Sequence, residues 1–202
     1  MSAPQSETSL SDHKSIALIG ARGAGKSRLS RKLGKKLNLP VFSTDTQICF
    51  AANGKTIQQI VAEEGWPGFR QREFDILSKI AEMESSIIDC GGGILVEAPE
   101  NPGLQESFSQ RKASILKAHC TVVYIKRPMS WLLDKVKETA SRPDLKGEPY
   151  EDLLNRRLPW YEQVADITLE ADATGTKDLL AAILEHPLLQ SRTNISQTIT
   201  GQ

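Results

Sequence analysis

The residues Gly20-Ala21-Arg22-Gly23-Ala24-Gly25-Lys26-Ser27 read G-x-x-x-x-G-K-[ST]. That is the pattern of a loop that cradles a phosphate chain on its backbone N–H groups. Side chains must be absent or small where the phosphates lie, and Gly20, Gly23, Ala24 and Gly25 meet that need. Lys26 supplies a mobile positive charge for the β- and γ-phosphates, and the Ser27 hydroxyl is placed to bind Mg²⁺. The stretch from Arg22 to Arg28 is therefore the expected ATP-binding segment. A dinucleotide fingerprint starting at Gly23 would need glycine at position 28, where Arg28 stands.

Four further sets of residues have the chemistry to complete a phosphoryl-transfer site. Asp45 and Asp89 each follow a short apolar run, and Asp89 stands two residues before Gly91-Gly92-Gly93. Arg70 and Arg157 fall on helical patterns, and guanidinium forks suit a carboxylate bidentately. Glu73, one helical turn from Arg70, is placed to steady it. Arg142 falls in the stretch 140–150, where Pro143, Gly147 and Pro149 among charges mark a mobile exposed loop. The bland readings are a helix-capping Asp45, a turn-capping Asp89, solvated arginines and a merely flexible triple glycine.

The elements that must hold these residues alternate along the chain. Strands are expected at Ser15–Ile19, Val41–Ser43, Ser86–Cys90, Cys120–Ile125 and Asp166–Leu169, with the phosphate loop between the first strand and a helix carrying Leu29, Leu33 and Leu37. Asn38-Leu39-Pro40 breaks the chain before the second strand, and a short helical segment follows Asp45 through Ile48. Thr56 and Gln59 form a capping box, Gly65 ends that helix and Pro67 opens the next. Further helices are expected loosely within 105–117, around Trp131–Val136, from Glu151 to Val164 and from Thr176 to Leu184. This order means a parallel sheet covered on both faces, with ligands at the carboxyl ends of its strands. Asp45, Asp89 and the triple glycine should thus share an edge with the phosphate loop.

The 202 residues suit one domain, expected at 14–186 between a disordered leader (1–13) and a polar tail (187–202). The 25 basic and 25 acidic residues balance, so nothing favours nucleic-acid binding. The first residues lack the apolar core of a signal peptide, and no apolar run is long enough to span a membrane. Cys49, Cys90 and Cys120 lack metal or redox spacing and are expected as buried free thiols. A cytoplasmic protein is expected.

From about Ser15 to Leu184 the chain resembles the shikimate kinase family. Besides the phosphate loop, Thr44-Asp45 stands at the family's Asp-x-Asp and Phe69-Arg70-Gln71-Arg72-Glu73 at its F-R-x-x-E. Gly91-Gly92-Gly93 matches its G-G-G, Arg142-Pro143 its lid R-P, and Arg157 to Tyr161 its R-x-x-x-Y. The resemblance implies ATP-dependent phosphorylation of the shikimate 3-hydroxyl. It also implies the nucleoside monophosphate kinase-like α/β fold, with five parallel strands in order 2-3-1-4-5 and a lid at about 140–150. It places Lys26, Asp45 and Arg142 in catalysis; Asp45, Arg70, Gly91, Gly92, Gly93 and Arg157 on shikimate; and Arg142 also on ATP. A monomer is expected. Two positions depart from the pattern: Ser43 replaces the first Asp, which helps hold Mg²⁺, and Asp144 replaces the usual Leu after the lid proline. Asp89 is expected to take over the missing metal-side carboxylate, through water. The alternatives are a related small-metabolite kinase, acting on gluconate for example, and a silent relative that binds shikimate or nucleotide as a regulator.

Overall fold

The five apolar runs line up as one parallel sheet because each is bounded by a crossover helix that brings the chain back in the same direction. In the computed structural model, which describes residues 14–99, 101, 104–137, 148–172 and 175–189, the strands are β1 (Ser15–Ile19), β2 (Val41–Ser43), β3 (Ile87–Asp89), β6 (Cys120–Lys126) and β7 (Ile167–Glu170). Their spatial order is β2-β3-β1-β6-β7, the expected 2-3-1-4-5 once the sheet strands alone are numbered. A separate two-stranded antiparallel ribbon, β4 (Val96–Glu97) with β5 (Ser107–Phe108), was not foreseen. Two-residue strands carry no period that a sequence can display.

The helices are α1 (Lys26–Leu37), α2 (Thr44–Ala51), α3 (Ile57–Ala81), α4 (Gln110–His119), α5 (Met129–Lys137), α6 (Tyr150–Val164) and α7 (Thr176–Glu185). On one face α1 packs against β3, β2 and α7; on the other, α4 and α6 pack together over β6, with α3 against α4. Central strand β1 is wholly buried, and its Ile16, Leu18 and Ile19 join Leu29 and Leu33 of α1 and Val122 and Val123 of β6 in the main core. A second, smaller core of Ile48, Ile60 and Phe69, with Trp66 against it, ties α2 to α3.

Local signals act as expected in several places. The Thr56–Gln59 capping box forms in full, and Gly65 breaks α3 with non-helical angles (φ 69°, ψ 178°) just before Pro67. Asn38 ends α1 in the left-handed region. Other positions differ. The helix after β2 begins at Thr44, so Asp45 lies inside its first turn, and the cap is Ser43, which accepts from the Thr46 N–H at 3.4 Å. The core continues to Leu189, past the expected tail boundary at 187. Cys90 and Cys120 are buried, but Cys49 is half-buried and borders the cleft described below. The expected leader, Arg142, most of the expected lid and the rest of the tail lie outside the described residues. No helix among the described residues is long and apolar enough to cross a membrane.

Candidate active site

The phosphate loop runs from the buried end of β1 into the N-terminus of α1. Gly20 sits at φ +137°, and a Cβ there would meet the Ile125 carbonyl at 2.8 Å; no other residue type fits that turn. Lys26 is almost fully buried and its Nζ donates to the carbonyls of Gly20 (2.8 Å) and Ala21 (3.0 Å), folding back over the loop. Burial pushes its ammonium below the usual lysine range, against the pull of Asp89 and Asp45. A charge held at a loss in this way gains when an anion arrives.

Asp89 ends β3 and is the parallel-register partner of both Ser43 in β2 and Leu18 in β1. It therefore sits beside the phosphate loop. Burial raises its carboxyl above the ordinary range, opposed by a hydrogen bond with the Ser27 side chain and by the charges of Lys26 and Arg31. The hydroxyl and carboxylate expected at the metal thus lie near enough to influence each other. They are hard oxygen donors of the kind Mg²⁺ takes. Among the described residues no cluster of three acidic, His or Cys side chains forms a self-sufficient metal cage, so a cation here would lean on nucleotide phosphates for its remaining ligands.

The triple glycine links this end to the other. Gly91 N–H donates to Thr44 Oγ1 at 2.8 Å, and a Cβ on Gly91 would lie 2.5 Å from Asp45 Oδ1. Asp45 is therefore laid directly over the glycine turn. A Cβ on Gly93 would lie 2.6 Å from both terminal nitrogens of Arg70. The Gly92 carbonyl accepts from the Tyr161 hydroxyl. Glycine is required here for close approach of side chains, more than for a flexible turn.

Arg70 is buried. Its Nη1 donates to Glu73 Oε2 at 3.0 Å and to the Gly93 carbonyl at 3.1 Å, and its guanidinium lies 5.3 Å from the Trp66 ring centre. Glu73 steadies it as the i,i+3 spacing predicts. Lys112 of α4, which the sequence reading missed, is fully buried and donates to the same Glu73 oxygen at 2.7 Å. Arg157 of α6 is gripped by Glu106, also missed: Nε to Oε1 at 2.6 Å and Nη2 to Oε2 at 2.5 Å. Burial works against the Arg157 charge, but the Glu106 hydrogen bond together with the charges of Tyr161, Glu106 and Tyr150 outweighs it and the guanidinium stays above its usual range. Neither partner had a sequence signal. Lys112 lies in a helix whose polar residues look solvated, and Glu106 falls between prolines and β5 with no period.

One cleft of about 880 Å³ collects these groups. It is bordered by Arg22, Gly23, Gly25, Lys26, Ser27 and Arg28 at one end and by Asp45, Arg70, Gly91, Gly92, Gly93 and Arg157 at the other, with Asp89 between. Of the expected set, Ala24 is buried beneath the loop and Arg142 lies outside the described residues. A phosphate-binding end and a carboxylate-binding end with an acid between them can pass a phosphoryl group from a nucleotide to a hydroxyl of a small carboxylic acid.

The chain is similar to known proteins. The family model for shikimate kinase matches residues 22–187. The shikimate kinase of Leptospira biflexa is 39% identical over 171 residues, covering 84% of this chain and 93% of that protein. That of Leptospira borgpetersenii is 38% identical over 174 residues, covering 85% and 96%. Among solved structures, shikimate kinase from Acinetobacter baumannii in complex with shikimate superposes with a TM-score of 0.72 at 28% identity, covering 94% of this chain and 96% of that one. The enzyme from Aquifex aeolicus gives 0.63 at 27%, covering 93% and 96%. With the family model spanning most of the domain and these relatives matched almost end to end, the chain belongs to the shikimate kinase family.

Proposed function

We propose that the chain transfers the γ-phosphoryl group of ATP to the 3-hydroxyl of shikimate, giving shikimate 3-phosphate and ADP. The observation that carries this is the single cleft joining Lys26 and Ser27 to Arg70 and Arg157, with Asp45 over the glycine turn. Arg70 and Arg157 take the substrate carboxylate and set the ring's orientation. Asp45 orients the acceptor hydroxyl and receives its proton as the oxygen attacks. The loop N–H groups and the N-terminus of α1 bind the nucleotide phosphates, and Lys26 turns from its carbonyl partners to the β- and γ-phosphates. The family resemblance gives Arg142 the role of stabilising charge that develops on the transferred group.

Mg²⁺ would be held by the Ser27 hydroxyl and, through water, by Asp89; it would neutralise charge on the phosphates. The nearness of Ser27 to Asp89 supports this assignment, as does the register that sets Asp89 beside Ser43. We take the chain as a cytoplasmic monomer, in keeping with three cysteines that form no disulfide. A coupled ADP-release assay with shikimate, gluconate and other polyols tests the reading. ADP release with shikimate is expected. Preference for gluconate, or tight shikimate binding without turnover, would contradict it.

A further inference from the structure

Every guanidinium has two edges that can grip a carboxylate, one formed by Nε with Nη2 and the other by the two terminal nitrogens. In Arg157 the first edge is fully used by Glu106, in a bidentate contact. The second edge remains for another acid. Arg157 borders both the cleft that holds the phosphate loop and an adjoining hollow of about 430 Å³, whereas Glu106 borders the hollow alone, together with Glu148 and Arg156. Glu106 therefore stands behind Arg157 as seen from the reaction site. It is well covered, with only 13% of its side chain exposed.

Neighbouring charges lock this arrangement. Arg156 precedes Arg157 on α6 and is taken by Glu148 at 2.6 and 2.7 Å, with a weaker 3.3 Å contact to Glu106. Glu148 is thus committed elsewhere, and Glu106 is the acid that fixes Arg157. Without it two adjacent guanidinium groups would compete for Glu148, and Arg157 could turn away from the cleft.

We propose that Glu106 is a positioning residue for the phosphoryl acceptor: by holding the Nε–Nη2 edge of Arg157 it presents the remaining edge to the substrate carboxylate. A guanidinium fixed in advance loses less side-chain freedom when the substrate binds. This deepens the shikimate reading and rests on it.

The test is equilibrium binding of shikimate and of ADP, by titration calorimetry, to the whole chain and its variants. Glu106→Ala should weaken shikimate binding about tenfold, the loss of one charge-assisted contact, and leave ADP binding unchanged. Glu106→Gln keeps the volume, serves if the alanine variant folds poorly, and should weaken shikimate in the same direction. In an Arg157→Ala background, Glu106→Ala should add almost nothing, because it acts through that arginine. Tighter shikimate binding on removing Glu106 would mean that it competes with the substrate and would overturn the proposal. So would additive effects in the double variant or an equal loss of ADP affinity. If the unaltered chain binds shikimate and Glu106→Ala binds it equally well, only this inference falls; if the unaltered chain binds none, the functional reading falls with it.

Discussion

Lys112 shows what single residues contribute here. It is fully buried, and burial holds its ammonium below the usual value of 10.5 although Glu73 pulls the other way. Its charged form is thus less favoured in the fold than in the unfolded chain. The unfolded chain binds more protons in the window just below 10.5, so stability should rise with pH through that window. Lys112→Met, which carries no charge, should lack that rise. Its stability at pH 7 should fall by about 3 kcal/mol, since buried Glu73 keeps only Arg70, and the shikimate KM should rise because Glu73 and then Arg70 loosen. Urea unfolding at pH 7 and pH 10, beside steady-state kinetics, checks both parts; parent-like stability at pH 7 with unchanged KM would contradict them. Asp89 allows a second test at this scale. Mg²⁺ should tighten ADP binding to the parent, and Asp89→Asn should remove most of that gain. Ser43→Asp should restore part of it, since Ser43 faces Asp89 across the β2–β3 ladder and aspartate caps α2 as well as serine does. Titrations of ADP at several Mg²⁺ concentrations decide; an unaltered Mg²⁺ dependence in Asp89→Asn would assign Asp89 to the fold.

Among the elements, α1 has two tasks, presenting the phosphate loop and packing on the sheet beside β2. Gly34 makes the second possible: a Cβ there would lie 2.3 Å from Val41 Cγ2 and 2.9 Å from the Leu39 carbonyl. Gly34→Ala should force α1 from β2 and cost on the order of 1–3 kcal/mol. Thermal unfolding should register that cost, and a variant as stable as the parent would show that the helix shifts freely. The five sheet strands were legible because buried parallel strands are short apolar runs, as Ile16–Ile19 and Val122–Ile125 are. The phosphate loop, the capping box at Thr56 and the Glu73 brace were legible because their partners lie within six residues. The β4–β5 ribbon, Lys112 on Glu73 and Glu106 on Arg157 were not. Those contacts join residues 39 and 51 positions apart in the two ion pairs, and only the packed sheet decides that they meet. Asp45 fell between: its place was readable, but Ser43 took the cap and left its carboxylate against the glycine turn.

For the whole molecule, the sheet order β2-β3-β1-β6-β7 brings the carboxyl ends of β1, β2 and β3 side by side. The phosphate loop, Asp45 and the glycine turn leave from those ends, so nucleotide and acceptor are placed by adjacent strands of one rigid core. The arginines come from the helices over the sheet, Arg70 from α3 and Arg157 from α6. In the proposed reaction this division assigns phosphate chemistry to the strand ends and recognition of the acceptor's carboxylate to the covering helices. The most direct measurement is phosphorus NMR of the chain incubated with ATP, Mg²⁺ and shikimate, with proton–phosphorus correlation to locate the new ester. The account predicts loss of the γ-phosphate signal, growth of ADP, and one phosphomonoester coupled to the proton on carbon 3 of shikimate. Release of inorganic phosphate alone, an ester at a different hydroxyl, or an unchanged ATP spectrum would contradict it.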